Sequence, residues 1–265
     1  MGLAVYSETV EGTNERFIED ARRSTWSPRA VAERALAKID RNDPLLELTW
    51  NLASGSVYVE QVGLEAASVI LTESPDAVAK LIGATAVGDE GRHSSVFAHY
   101  AERVGGAVAP PAEPIVDLSG GLLAMEYPAA RMLAHTLLEG FAADEFFWFI
   151  RGLRSTGLAD IYRLVRRDES RHVGLGMYYA TRGGGLRGVR ELEPEDLLAA
   201  EEFVVRYSDL DSIDALVTRL LPELEPGQVR RWMRHRHEKR MSMIFNVRGD
   251  RADLVRHRAR HPVLS

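Results

Sequence analysis

Cysteine is absent from the 265 residues of the sequence. Disulfide bonds, thiolate zinc sites, iron–sulfur clusters and a cysteine nucleophile are therefore excluded. Any bound metal must be held by carboxylate, imidazole or water. The sequence also lacks an apolar run of about 18 residues, so no membrane span is predicted. The first residues show no basic segment followed by an apolar stretch, so no secretory signal is expected, and we expect a cytoplasmic protein without a membrane partner.

Lysine is rare: the chain has three lysines among its 33 basic residues, and a net charge of −6. This charge gives no general reason to expect nucleic-acid binding. Residues 228–261, however, contain 11 basic and three acidic side chains, a local charge of +8 that leaves −14 for the remainder. The run 230–237 mixes arginine with tryptophan, as RNA-binding helices do. Ion pairs with the acidic remainder, or an acidic carrier protein as partner, are alternatives.

Apolar residues recur with helical periodicity, and alternating strand patterns are missing. The pattern predicts four long helices in two pairs, with a loop over 105–121 between the pairs. This is typical of an all-α four-helix bundle with one long crossover. We expect the bundle over 45–182, an N-terminal helical extension over 1–44 and a C-terminal helical extension over 183–265 that packs on the bundle.

Two pentapeptides are nearly identical: Asp89-Glu90-Gly91-Arg92-His93 and Asp168-Glu169-Ser170-Arg171-His172. Each contains Glu-x-x-His, and residues three apart on a helix point the same way. Each motif therefore directs one carboxylate and one imidazole at a common point.

Two further glutamates, Glu60 and Glu139, precede these motifs by the same distance. Adding 79 to 60, 90 and 93 gives 139, 169 and 172. Both glutamates lie in apolar surroundings, where a carboxylate is costly to bury unless it is paired or bound to metal. Four carboxylates and two imidazoles favour iron or manganese. In bundle di-metal sites, two helices give one Glu each and two give Glu-x-x-His.

This set of motifs resembles the ferritin-like di-iron carboxylate superfamily over about residues 45–182. The resemblance implies a ferritin-like four-helix bundle with extra terminal helices. It implies two bound iron ions, with manganese as an alternative at one or both positions. The implied ligands, which would also form the catalytic centre, are Glu60, Glu90, His93, Glu139, Glu169 and His172.

The resemblance also implies roles for the residues beside the ligands. Asp168 would orient His93, and Asp89 would orient His172. Arg92 and Arg171 would neutralise these acids, or else be exposed on the helix surface. Tyr162 shares a face with Glu169 and could donate a hydrogen bond or carry an oxidising equivalent.

The activity that the resemblance implies is that of an O2-dependent di-iron oxidase or oxygenase. Its substrate would be a small organic or acyl compound, changed by hydroxylation, N-oxygenation or desaturation. An external electron donor is expected, and a homodimer is a further expectation. The doubled motif resembles the acyl-carrier-protein desaturase signature. The alternatives are a ferroxidase that handles iron, a di-iron hydroxylase that modifies tRNA, and a binding scaffold.

Small residues near the ligands predict an elongated apolar pocket that reaches the metals, and we expect it to touch at least two of these small residues. Tight helix packing would use the same residue types. His135 precedes Glu139 by one turn, and it is either a polar neighbour of the metals or a core histidine. The small residues are Gly83, Ala86, Ala142, Ala143 and Gly176.

Overall fold

Helices form all the regular structure in the described residues of the computed structural model, which are 13–73, 77–126, 128–182 and 193–260. The prediction of an all-α fold is confirmed. The helices are α1 (Thr13–Arg23), α2 (Pro28–Leu36), α3 (Leu46–Glu73), α4 (Ala77–Gly105), α5 (Glu113–Leu123), α6 (Pro128–Gly152), α7 (Leu158–Arg182), α8 (Pro194–Tyr207), α9 (Leu210–Leu220), α10 (Gln228–Arg248) and α11 (Arg251–Arg260).

The four long helices form two packed pairs, α3 with α4 and α6 with α7. The pairs face each other mainly through α3 and α6, and through α4 and α7. Aromatic side chains fill the contact, with Phe97 and Tyr100 of α4 and Phe149 of α6 fully buried. These helices correspond to the four long segments predicted from the sequence.

The crossover contains a helix, so the prediction of a loop over 105–121 is wrong for its second half. Pro114 lies in the first turn of α5, where proline suits a helix. Leu118 and Leu122 are four residues apart and bury one face of α5. Gly121 allows a close approach, because a Cβ there would lie 2.6 Å from the Phe203 ring. Four glycines and three prolines in this segment favoured a loop and hid the short apolar face of α5 from the sequence analysis.

The terminal helices lie against the bundle. Helices α1 and α2 contact α4 and α7, while α8, α9 and α10 contact α6, and α10 also contacts α7. Ion pairs join α10 to α6, because both the half-exposed Arg236 and the largely buried Arg240 bind the buried Asp144. The division of the chain at residues 45 and 182 stays a prediction. Within the described residues, no helix combines the length and hydropathy needed to cross a membrane.

Candidate metal centre

The six predicted ligands come together inside the four-helix core. Helix α3 contributes Glu60 and α6 contributes Glu139, while α4 and α7 each contribute a Glu-x-x-His pair. Their side-chain atoms form two groups that could each hold a metal ion. One group is Glu60, Glu90, His93 and Glu169, and the other is Glu90, Glu139, Glu169 and His172. Glu90 and Glu169 belong to both groups, so each can bridge two ions.

Each histidine points its Nδ1 atom at the carboxylates. His93 Nδ1 lies 3.1 Å from a Glu60 oxygen and 3.0 Å from a Glu169 oxygen. His172 Nδ1 lies 3.2 Å from both a Glu90 oxygen and a Glu139 oxygen. Because the carboxylates and Nδ1 atoms converge within these distances, Nδ1 is the nitrogen available to a metal.

The opposite nitrogen of each ring lies near an aspartate. His93 Nε2 is 3.4 Å from Asp168 Oδ2, and His172 Nε2 is 3.0 Å from Asp89 Oδ2. These are the cross-helix pairs that the resemblance implied. An aspartate that accepts a hydrogen bond from Nε2–H keeps the proton on Nε2, so that Nδ1 is unprotonated and a more basic ligand for a metal.

The two aspartates are held by arginines. Arg171 bonds to both Asp89 and Asp168, and Arg92 bonds to Asp89. Burial opposes ionisation of Asp168, but hydrogen bonds from His93 and Trp26 outweigh it and lower its pKa. Hydrogen bonding to His172 and the arginine charges likewise lower the pKa of Asp89 against the effect of burial. Both acids therefore stay ionised beside the histidines.

Trp26 is a neighbour of the centre that the sequence did not reveal. Its indole Nε1 donates a hydrogen bond to Asp168 Oδ2 at 2.9 Å. Its ring also stacks on the His93 imidazole, with centroids 6.0 Å apart. Trp26 precedes α2 and is more than 60 residues from His93, so no local spacing connects the two.

The donor atoms fit a pair of metal ions. Four buried carboxylates lie within one small volume, and burial raises the pKa of Glu60 well above its usual range. Several buried atoms that face this volume lack a hydrogen-bond partner among the described residues. They are Glu90 Oε1, Glu139 Oε1, Glu169 Oε1 and His172 Nδ1. Unpaired buried polar atoms are costly, and coordination to divalent cations would satisfy them.

Gly63 makes room for one of the shared carboxylates. A Cβ at this position would lie 2.8 Å from Glu90 Oε2. Gly63 is three residues after Glu60 on α3, so it faces the same side of the helix. The spacing from Glu60 could have pointed to it.

Tyr162 and His135 occupy different surroundings. The buried Tyr162 hydroxyl is 3.1 Å from Ser56 Oγ, and its ring packs among Phe97, Phe146 and Phe149. Its hydrogen bond is thus to a serine and not to a ligand carboxylate.

His135 is 5% exposed, and its Nε2 lies 3.3 Å from Glu139 Oε1. His135 is therefore a direct neighbour of the candidate centre.

An apolar pocket of about 270 Å³ opens onto the cluster. Its lining includes all four glutamates, together with apolar side chains of α3, α5, α6 and α9. An apolar pocket at the ligands is present as expected, but the prediction that it touches at least two of the five small residues is wrong, because only Ala142 lines it. Gly176 instead meets Thr136 on α6 in close helix contact. The pocket lies beside α3 and α6, and Gly63 and Ala142 are among its lining residues.

No protein-family model and no curated protein sequence matches the chain. Solved structures do match. One is a variant of an R2-like ligand-binding oxidase with an aerobically reconstituted Mn/Fe cofactor, at a TM-score of 0.63 and 16% identity, over 88% of this chain and 94% of that chain. Another is a variant with an Fe/Fe cofactor, at a TM-score of 0.64 and 15% identity, over the same shares. The likeness confirms the ferritin-like helical bundle.

Proposed function

We propose, from the fold shared with R2-like ligand-binding oxidases, that this chain is an O2-dependent oxidase with two bound metal ions. The observation that carries the proposal is the pair of buried ligand groups that share Glu90 and Glu169. The two ions would be iron, or one manganese and one iron. The structural neighbours support this choice, because those oxidases carry Mn/Fe or Fe/Fe cofactors.

The residues divide into ligands of one ion, ligands of the other and shared ligands. Glu60 and His93 would hold the first ion, and Glu139 and His172 the second. When bound, such a metal pair supplies electron transfer and reaction with O2, which protein side chains cannot provide. Asp89 and Asp168 keep the histidines in the ligating orientation. The aromatic rings packed around Tyr162 are buried and would exclude water from that side of the centre.

The pocket supports a small organic or acyl substrate. Its wall is mainly apolar, and it leads to the carboxylates that would hold the metals. A substrate bound there would place a carbon or nitrogen atom next to the centre. Hydroxylation, N-oxygenation and desaturation are all compatible with this geometry, and each needs an external electron donor.

The test is anaerobic titration with ferrous iron followed by exposure to O2. We expect about two metal ions per chain, because six ligands on four helices form one dinuclear site. H93A should lose at least one ion. The control is H99A, since His99 is an exposed histidine of the same helix and its removal should leave the stoichiometry unchanged.

Oxygen uptake then separates an oxidase from an iron-handling protein. An oxidase takes up O2 in proportion to its two bound ions and then stops until electrons are supplied. Continued ferric mineral growth with added iron would favour the ferroxidase alternative. A clear endpoint of one metal per chain under saturating iron would contradict the proposal.

A further inference from the structure

The pocket has a second polar end, away from the metal ligands. Glu145 lies on the same face of α6 as Glu139 and Ala142, and all three line the pocket. Glu145 is six positions after Glu139, so the two residues are about 9 Å apart along the helix axis. At this end the wall is completed by Tyr207, Ser208 and Asp209, from the junction of α8 and α9.

Glu145 has no hydrogen bond or ion pair with any residue that the structure describes. Burial, reinforced by the charge of Asp209, raises the pKa of Glu145 to about 7. Among the described residues, neither lysine nor arginine lines the pocket. Elsewhere in this protein, buried acids such as Asp144 and Glu201 are paired with arginines. The one basic side chain of the lining, His135, lies beside Glu139 at the other end of the pocket, so the carboxyl group of Glu145 faces the cavity without an ion-pair partner.

Asp209 is an exposed residue, and its Oδ2 accepts no hydrogen bond from the residues that the structure describes. Its Oδ1 accepts a hydrogen bond from the backbone N–H of Ser212 and caps α9. Two neighbouring carboxyl groups with free oxygens disfavour an anion and are poorly satisfied by a single hydroxyl. A protonated primary amine brings a positive charge and three N–H donors, enough for both groups.

We propose that Glu145 and Asp209 form a binding subsite for the ammonium group of a primary alkylamine whose apolar chain runs along the pocket toward the Glu/His cluster. The apolar chain would lie against Val59, Leu138 and Phe141, which also line the pocket. The view that this amine is the substrate rests on the proposed function, whereas its binding at Glu145 does not.

Titration calorimetry at pH 8 measures the affinity of the full-length protein for octylamine, 1-octanol and octanoate, once metal-free and once loaded anaerobically with Mn²⁺. At this pH most Glu145 is ionised and octylamine is protonated. We expect E145Q to weaken octylamine binding about 10- to 100-fold, since hydrogen bonds to charged groups contribute at that level. Binding of 1-octanol should change by less than about threefold.

Control variants keep the test interpretable. E223Q removes an exposed acid of the same type and should leave every affinity unchanged. D209N retains the helix cap and should weaken octylamine binding by a smaller factor, so it replaces E145Q if that variant does not fold. Mn²⁺ stoichiometry should be the same in all variants.

The outcomes separate the two proposals. Octylamine affinity that is unchanged in both E145Q and D209N would overturn the subsite, as would tighter binding of octanoate than of octylamine to metal-free protein. If octylamine instead binds directly to Mn²⁺, its affinity will also be unchanged in both variants, and the subsite is again ruled out. Failure of the chain to bind Mn²⁺ or iron, with Glu145-dependent octylamine binding intact, would remove the oxidase proposal and leave the subsite standing.

Discussion

Asp89 and Asp168 decide which nitrogen of each histidine faces the carboxylates. A neutral asparagine at either position accepts a weaker hydrogen bond from Nε2–H. Its amide group can also donate a hydrogen bond to Nε2, which would place the ring proton on Nδ1. We therefore expect D89N and D168N each to weaken metal binding about 10- to 100-fold with the fold intact. Competition with a chelator measures the affinity.

The control for this pair is E102Q, because Glu102 is an exposed acid on α4, away from the ligand cluster. Metal affinity in E102Q should equal that of the wild type. Equal affinity in D89N and D168N as well would show that the aspartates do not orient the histidines.

Residues that repeat along the chain could be predicted, and residues that meet through tertiary contact could not. The offset of 79 positions is enough to identify all six members of the cluster, because it relates each ligand of one half to a ligand of the other. Trp26 had no such signal, because its contact with Asp168 depends on how the N-terminal helices pack. Glu145 was missed because an acid near the end of α6 looks like any solvated helix residue.

Among the helices, α6 and α7 form a close pair, and one glycine allows this contact. A Cβ at Gly176 would lie 2.0 Å from Thr136 Oγ1. Thr136 is 2% exposed, so it has no free space into which to move. We expect G176A to lower the free energy of unfolding by about 1–3 kcal/mol through overpacking. Urea denaturation of the metal-free protein measures this change.

Gly174 is the matched control on the same helix. A Cβ at Gly174 meets no described atom within 4 Å, and the residue is exposed. Alanine there should raise stability by about 0.5–1 kcal/mol, because glycine is the poorer helix former. Equal effects of G174A and G176A would mean that α6 and α7 are not in close contact at Gly176.

At the level of elements, long helices were easier to predict than the short one. Helix α7 begins directly after Gly157 and α8 begins at Pro194, so glycine and proline mark these two starts in the sequence itself. Helix α5 has only two buried leucines and is stable because α3 and α6 cover them. Such a helix depends on its neighbours, so periodicity alone could not separate it from a loop.

Over the whole molecule, the basic C-terminal segment is joined to the acidic remainder by ion pairs. Asp144 is fully buried and bonds to both Arg236 and Arg240, and Arg258 bonds to Glu201. Arg240 also donates to the Gly140 carbonyl at 2.8 Å. The side chain of Arg240 is only 10% exposed, so its charge depends on Asp144 for compensation.

We therefore expect D144N to destabilise the folded protein by about 3–5 kcal/mol, the usual cost of leaving one partner of a buried ion pair uncompensated. Adding R240M should recover part of this loss, because an apolar pair requires no desolvation of charge. E33Q, which breaks the exposed Arg29–Glu33 pair, serves as control and should not change stability measurably.

Two signals show whether the bundle and the C-terminal helices unfold together. Trp232 of α10 packs against Trp148 of α6, with ring centroids 5.3 Å apart. With Trp26 and Trp50 replaced by phenylalanine in every variant compared, tryptophan fluorescence reports on this interface, whereas circular dichroism reports on all helices. If α10 is an integral part of the fold, both signals follow one urea transition in the wild type, and D144N moves them together. A fluorescence transition at lower urea than the loss of helicity would show that α10 detaches from an independently stable bundle. Unchanged stability in D144N would show that the buried ion pair does not hold the C-terminal helices in place.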